Sequence, residues 1–371
     1  MICHGCFVEN YRNAENARLE FSDEVNVLVG DNGQGKTNII EAIYLCSVGR
    51  SFRGADEAEM IKFGCPGATV SVDFSDSVRK QNITMHLFRD KRRQVEKNKV
   101  KITRMSDMVG SLTGVLFCPE HLSVVKEGPA MRRAYLDIAI SQLRPLYISS
   151  LQRYNKILKQ RNKLIRDAEN DRKTFNDTIE FWSDQLSNEA ATIAKMRVEY
   201  LIRAREKVKD FLSDMTLGRE VPQLIYAGSS HDEEQAYLDS AATKAKYLKM
   251  LSENHDREIG AGTTLWGIHK DDITINLNDH PARVFASQGQ QRSIALAMKL
   301  SEGEICREDR GEYPIFLLDD VLSELDSGRR SYLINEIKGR QVIMTTCETL
   351  PEMFNAGGSG VIQVKQGKYY Y

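Results

Sequence analysis

Short runs of apolar residues separated by polar or glycine-containing turns fill the first third of the chain: CFVEN, VNVLV, ATVSVDF, NITMHLF and GVLF. Their length and two-residue alternation predict strands, and residues 93 to 104 read as a hairpin. From about 120 to 256 the apolar spacing changes to three and four, which predicts long helices interrupted only at Pro129, Pro145 and Pro222. Short strands return after about 260 (DITINL, YPIFLLDD, RQVIMTT) together with two helices. No repeat or low-complexity segment breaks this order.

One junction in the pattern carries chemistry. The apolar run Val25 to Val29 passes into Gly30-Asp31-Asn32-Gly33-Gln34-Gly35-Lys36-Thr37-Asn38, and helical spacing follows to Cys46. The spacing is GxxxxGK[ST], set between a strand and a helix. Glycines leave backbone N–H groups free at a helix start, Lys36 is placed for β- and γ-phosphates, and the Thr37 hydroxyl is placed for Mg²⁺. ATP with Mg²⁺ is the expected ligand.

Such a loop needs a second apolar strand ending in an acid. The best match, Ile315-Phe316-Leu317-Leu318-Asp319-Asp320, lies almost three hundred residues downstream. Asp319 is expected to hold Mg²⁺ and Asp320 to orient or deprotonate the attacking water. Aspartate is one methylene shorter than glutamate, so hydrolysis is expected to be slow. The expected fold is therefore α/β: an ATPase head from residues 1–119 and 257–371, with a helical arm inserted at 120–256.

A second candidate anion site lies at Ser287-Gln288-Gly289-Gln290-Gln291-Arg292, ahead of the helical stretch SIALAMKLSEGE. Two phosphate-binding helix starts in one chain suggest a two-fold dimer, in which Ser287, Gly289 and Gln290 of one copy close on the nucleotide of the other.

Length and composition narrow the class. A chain of 371 residues suggests two or three lobes, and 41% hydrophobic with 28% charged residues is a soluble globular balance. No apolar run reaches the roughly 18 residues of a membrane span, and MICHGCFVENYRN lacks the pattern of a signal peptide, so a cytoplasmic location is expected. The formal net charge of −1 means that nucleic-acid binding must come from local patches.

Two patches qualify. Six basic residues and no acid lie between Arg153 and Arg166, and Lys156, Lys159, Lys163 and Arg166 share one face of a predicted helix. Seven basic residues and one acid lie between Lys91 and Arg104. Each reads either as a solvated face or as a track for a phosphate backbone. Seven scattered cysteines point to reduced thiols. Cys3-His4-Gly5-Cys6 has the spacing of half a zinc site or a redox pair. It falls in a predicted strand, where residues three apart face opposite ways, and no second pair completes it. The segment from His269 to Asp272 reads as a polar turn before a strand.

The segments GDNGQGKTNIIEAIY, SFRGADEAEMIKFG, VLFCPEHLSVVKEGPAMRRAYLD, YNKILKQRNKLI, GIHKDDITINL, SQGQQRS and FLLDDVLSELD together resemble the RecF family, bacterial repair and recombination ATPases of the ABC/SMC class. The resemblance makes Gly30 to Thr37 the Walker A loop, Ser287 to Arg292 the signature motif, Asp319-Asp320 the Walker B acids and Ser323-Glu324-Leu325-Asp326 the D-loop. It also places Arg12, in a Tyr-Arg-Asn segment, near the nucleotide phosphates. It implies an ATP-dependent homodimer on duplex DNA near gaps or junctions, cooperation with RecR and RecO, loading of RecA, and links to replication and the SOS response. Cys118 and His121 depart from the family's Ser-Pro-Glu-Asp segment, Tyr11 replaces phenylalanine, and Thr346 occupies the switch-histidine position of transporters. The soluble ATPase subunit of another ABC-type system is the alternative. A small-molecule P-loop kinase would leave Ser287 to Arg292 without a purpose.

Overall fold

The computed structural model describes residues 1–347 and 360–371. The chain divides into two compact units, residues 1–123 with 295–371 and residues 124–294.

The first unit begins with β1 (Ile2–Tyr11), β2 (Ala14–Glu20), β3 (Val25–Val29), α1 (Lys36–Val48), β4 (Gly67–Ser75), β5 (Lys80–Phe88), β6 (Gln94–Lys97), β7 (Val100–Ile102), β8 (Gly114–Phe117) and α2 (Pro119–Leu122). The second unit contains α3 (Pro129–Leu143), α4 (Pro145–Asp167), α5 (Arg172–Thr216), β9 (Pro222–Ala227), α6 (Ser240–Ser252), α7 (His255–Ala261), β10 (Asp272–Leu277), β11 (His280–Pro281) and α8 (Ala282–Phe285). Helix α9 (Gln288–Arg310) carries the chain back to the first unit, which ends with β12 (Ile315–Asp319), α10 (Ser327–Glu336), β13 (Val342–Thr346), β14 (Gly360–Lys365) and β15 (Lys368–Tyr370).

Two six-stranded sheets make the first unit. One is an antiparallel sheet in the order β2-β1-β4-β5-β6-β7, and the other has the order β15-β14-β3-β13-β12-β8. In the second sheet β14, β3, β13, β12 and β8 run parallel, with Leu28 opposite Thr345 and Asp319 opposite Thr345 on its other side. Strands buried on both faces read as continuous apolar runs, which is why VNVLV and IFLLD lack alternation. Helix α1 packs between the two sheets, against β1 and β4 on one side and β12 and β13 on the other. Both chain ends therefore build the unit. The parallel register brings Gly30, Asp319 and Thr345 to the carboxyl edge, where open α/β sheets hold their ligands.

In the second unit the 45-residue α5 is about 68 Å long at 1.5 Å per residue. Pro129 and Pro145 open helices at their first turn, as proline's fixed φ favours. Pro222 starts a strand instead: β9 joins β10 and β11 in a three-stranded antiparallel sheet. The arm expected at 120–256 therefore extends to 294, because DITINL pairs with β9 rather than with the head. Strand β2 was also not anticipated; its ladder with β1 was hidden by a polar sequence.

Cys3 and Cys6 differ from expectation as well. A register shift between Cys3 and Gly5 in the β1–β4 ladder turns both side chains to the buried face. Burial raises both thiol pKa values well above the ordinary range, which keeps them as inert core thiols. Among the described residues no group of histidine, cysteine and acidic side chains has the arrangement to hold a metal ion. No helix among them is long and apolar enough to cross a membrane.

Candidate functional site

The phosphate loop is built by close backbone approaches. A Cβ on Gly30 would lie 2.3 Å from the Val364 carbonyl oxygen, and Gly33 and Gly35 have φ of +76° and +111°. Only glycine meets all three demands without distortion. Helix α1 starts directly after Gly35, with no acidic residue in its first turn to compete for the positive end of its dipole.

The C-terminal hairpin supports this loop from behind. The Gln366 and Gly367 N–H groups donate to the side-chain and main-chain oxygens of Gln34 at 2.6 and 2.9 Å, and the Tyr369 hydroxyl donates to Gly35 O at 3.1 Å. Asn13 Nδ2 donates to Gln34 O at 3.1 Å and accepts through its oxygen from Asn38 Nδ2 at 2.7 Å. Lys36, almost fully buried, points its ammonium back across the loop to the carbonyls of Gly30 and Asp31 and lies 3.4 Å from Cys347 Sγ. Three of the nine loop residues, Asp31, Asn32 and Gly33, are exposed.

The two distant motifs meet through Thr37, whose hydroxyl donates to Asp319 Oδ1 at 2.7 Å. Thr345 Oγ1 donates to the same oxygen at 2.8 Å and accepts the Asp320 N–H at 3.0 Å. Burial raises the Asp319 pKa, and the bonds from Thr37 and Thr345 only partly offset it. A buried carboxylate sharing a hydroxyl with Thr37 is a hard oxygen pair of the kind Mg²⁺ takes beside substrate phosphates. The residues present therefore fit that ion. Asp320 stands at φ +48°, the left-handed region, and lines the cleft. Thr345 was missed in the sequence; its only signal is its place at the end of the strand that pairs with IFLLD.

The cleft has a volume of about 650 Å³ and is lined by Asn32 to Asn38, Asp320, Thr345, Arg12 and Arg53, together with Ala58, Glu59, Ile61, Phe63 and Arg89. Arg12 reaches this wall, but its guanidinium grips Glu41 through two bonds of 2.8 and 2.6 Å and donates to Glu59 O at 3.0 Å. Burial pushes the Glu41 pKa up, and the bonds from Arg12 and Ser51 outweigh it, so the net shift is downward. Arg12 is thus held in place by an acid the sequence reading did not identify. Arg53 also faces the cleft, with Nη1 3.3 Å from Asn38 Oδ1.

In the second unit Ser287 is exposed and caps α9: its Oγ accepts from Gln290 N at 3.3 Å while Gln290 Oε1 accepts from Ser287 N at 2.8 Å. This reciprocal pair is a capping box. Gln290 Nε2 also donates to Glu220 at 3.1 Å. Gly289 lies in the first turn of α9. In the D-loop segment Ser323 Oγ donates to Asp320 O at 2.7 Å and Asp326 caps α10.

Lys156, Lys159, Lys163 and Arg166 are all exposed on α4. The other two basic residues of that run are not available: Arg161 is fully buried, 2.6 Å from Glu258, and Arg153 pairs with Glu189 at 2.6 Å. The 93–104 hairpin is present as β6 and β7, with Asn98 and Lys99 at positive φ in its turn. Arg93 and Lys97 turn inward to Gly49 O and Ser111. The His269–Asp272 segment is structural. Asp271 is buried beside Arg197 at 3.8 Å, Asp272 pairs with Arg132 at 2.6 Å, and His269 Nδ1 lies 2.6 Å from the Tyr154 hydroxyl. Around Glu120, Cys118 is buried and His121 half-buried, with His121 Nδ1 3.1 Å from Leu116 O.

A phosphate loop, a parallel sheet and a threonine–aspartate pair joined across the two chain ends define the head of an ABC-type P-loop ATPase. The chain belongs to the RecF family: the family described as RecF/RecN/SMC N terminal domain matches residues 4–368. A DNA replication and repair protein RecF of Ruminiclostridium cellulolyticum is 39% identical over 346 residues, 93% of this chain and 92% of its own. Among solved structures, the recombination mediator protein RecF-ATPrS in the RecFOR pathway superposes with a TM-score of 0.91 at 32% identity, covering 99% of this chain and 97% of that one. Its RecF-ATP counterpart gives 0.89 at 32% identity, covering 100% and 98%. A Smc head domain derived from Pyrococcus furiosus, at 15% identity and a TM-score of 0.55 over 99% of this chain and 94% of its own, shares the fold.

Proposed function

We propose that this chain is an ATP-dependent DNA-binding protein of recombinational repair that works as a nucleotide-gated dimer. Residues Gly30 to Asn38 hold the triphosphate, with Lys36 on the β- and γ-phosphates. Thr37 and Asp319 would hold Mg²⁺, which would supply charge neutralisation at the phosphates, and Asp320 aligns or deprotonates the attacking water. Ser287, Gly289 and Gln290 of a second copy complete the site, so ATP closes two heads on duplex DNA and slow hydrolysis releases them. The proposed setting is cytoplasmic, at gaps or junctions, with RecO and RecR and with RecA loading as the outcome. Relatives carrying the RecF name, two of them solved as nucleotide complexes in the RecFOR pathway, support this reading.

The observation that carries the ATPase assignment is the 2.7 Å bond from Thr37 to Asp319, which unites motifs 282 residues apart in one site. The test is light-scattering mass measurement of Asp320→Asn with ATP, with ADP and without nucleotide, each with and without duplex DNA. A dimer is expected with ATP and Mg²⁺, while adding Ser287→Arg should leave ATP binding intact and the protein monomeric. A strictly monomeric Asp320→Asn protein at high concentration, with ATP and DNA present, would refute the dimer.

A further inference from the structure

The lining of the cleft includes Phe63, which is 98% exposed, the most exposed large apolar side chain among the described residues. Its backbone is not loose. Arg89 ties the loop down by donating to the carbonyls of Cys65 at 2.8 Å and of Ile61 and Lys62 at 3.2 Å each. Lys62 N donates to Asn10 O at 2.8 Å, Cys65 N closes the turn on Lys62 O at 3.1 Å, and Ile61 bridges to Tyr11 beside Arg12. Gly64, at φ +82°, lets the chain turn immediately after the ring.

Covering a phenyl ring held bare by a fixed loop removes apolar area from water, and the fixed loop keeps the ordering cost of that contact low. The same cleft holds the phosphate loop, and a nucleotide whose triphosphate lies on that loop carries its base at the other end. The volume of about 650 Å³ exceeds what three phosphates fill and lies within the usual range for small-molecule sites. We infer that Phe63 is the stacking platform for the nucleobase, a specificity-determining residue that the Arg89-clamped loop holds at the cleft wall. A phenyl ring offers area and no hydrogen bond, so it favours the larger purine faces over pyrimidines without separating adenine from guanine.

This inference rests on the phosphate-loop reading, and calorimetry on the full chain separates the two. The ligands are ATP, CTP and inorganic triphosphate, each with Mg²⁺. Phe63→Ala is expected to weaken ATP binding by about 10- to 100-fold, as loss of one base–aromatic stack does. It should leave inorganic triphosphate within about twofold and narrow the preference for ATP over CTP, and Phe63→Trp should restore both affinity and preference. Unchanged ATP affinity in Phe63→Ala overturns the platform, as does a parallel loss of ATP and inorganic triphosphate. Normal ATP affinity in Phe63→Ala with a lost ATP-dependent dimer would assign the ring to a protein contact and overturns it too. If Lys36→Ala alters neither ligand's binding, the phosphate loop itself is misread.

Discussion

Asp319 shows how one side chain can be placed against its own stability. Burial raises its pKa, and its two threonine partners only partly compensate, so the ionised carboxylate destabilises the nucleotide-free protein at neutral pH. The sign follows from linkage. With the folded pKa above the unfolded one, the native state binds more protons in that window, and stability from this group rises as pH falls through the folded value. Asp319→Asn keeps an acceptor for Thr37 and Thr345 and removes the charge. The expected outcome is a higher melting temperature without ligand, by a few degrees for about 1 kcal/mol, together with loss of the Mg²⁺-dependent part of ATP binding. Calorimetry with and without Mg²⁺ checks both; a lower melting temperature with Mg²⁺ dependence intact would disprove the argument. Wild-type Mg²⁺-linked affinity should also decay on acidification earlier than an ordinary aspartate would allow.

Among the elements, the C-terminal hairpin β14–β15 acts on a loop more than 300 positions away. Its two-residue turn, Gln366 at φ +51° and Gly367 at φ +73°, is of the left-handed kind that suits hairpin twist. A Cβ on Gly367 would meet the Asn13 main-chain oxygen at 2.6 Å, so the tip sits directly on the segment that braces Gln34. Gly367→Ala adds left-handed strain of about 1 kcal/mol and forces the tip away. ATP affinity should fall about tenfold, equivalent to about 1.4 kcal/mol, with the stability of the second unit unaffected. Titration below the melting temperature reads the effect, and unchanged affinity would show that the hairpin is only a sheet edge. This support was not legible in the sequence, since Gln366 and Gly367 look like any turn. The phosphate loop and the IFLLD strand were legible because local spacing and continuous apolar runs encode them. Glu41, Thr345 and the hairpin contacts depend on strand order, which no local pattern fixes. The same holds for β9: its two-residue alternation of buried positions is masked by the long helical pattern before it, so the sequence places the boundary near 257 rather than 294.

For the whole molecule, a net charge of −1 rules out diffuse attraction to a polyanion, so any duplex contact must be concentrated. Helix α4 concentrates it by division of labour. Its buried Arg161 is spent on Glu258 and its exposed Arg153 is paired with Glu189, while Lys156, Lys159, Lys163 and Arg166 remain exposed in a row at spacings of three and four. The acids neutralise the cations that serve the fold and leave the stripe uncompensated. If that stripe tracks a phosphate backbone, each contact releases counterions and steepens the salt dependence by about 0.9 per phosphate. Lys159→Glu with Lys163→Glu should therefore weaken duplex binding and lower the slope of log affinity against log salt by about 2. ATP binding should stay unchanged, because neither lysine lines the nucleotide cleft. A weaker affinity with the original slope would mean that the substitutions act through the fold. An unaltered affinity would move the contact to the exposed cations of the β6–β7 hairpin, Lys99 and Lys101, where the same pair of measurements applies.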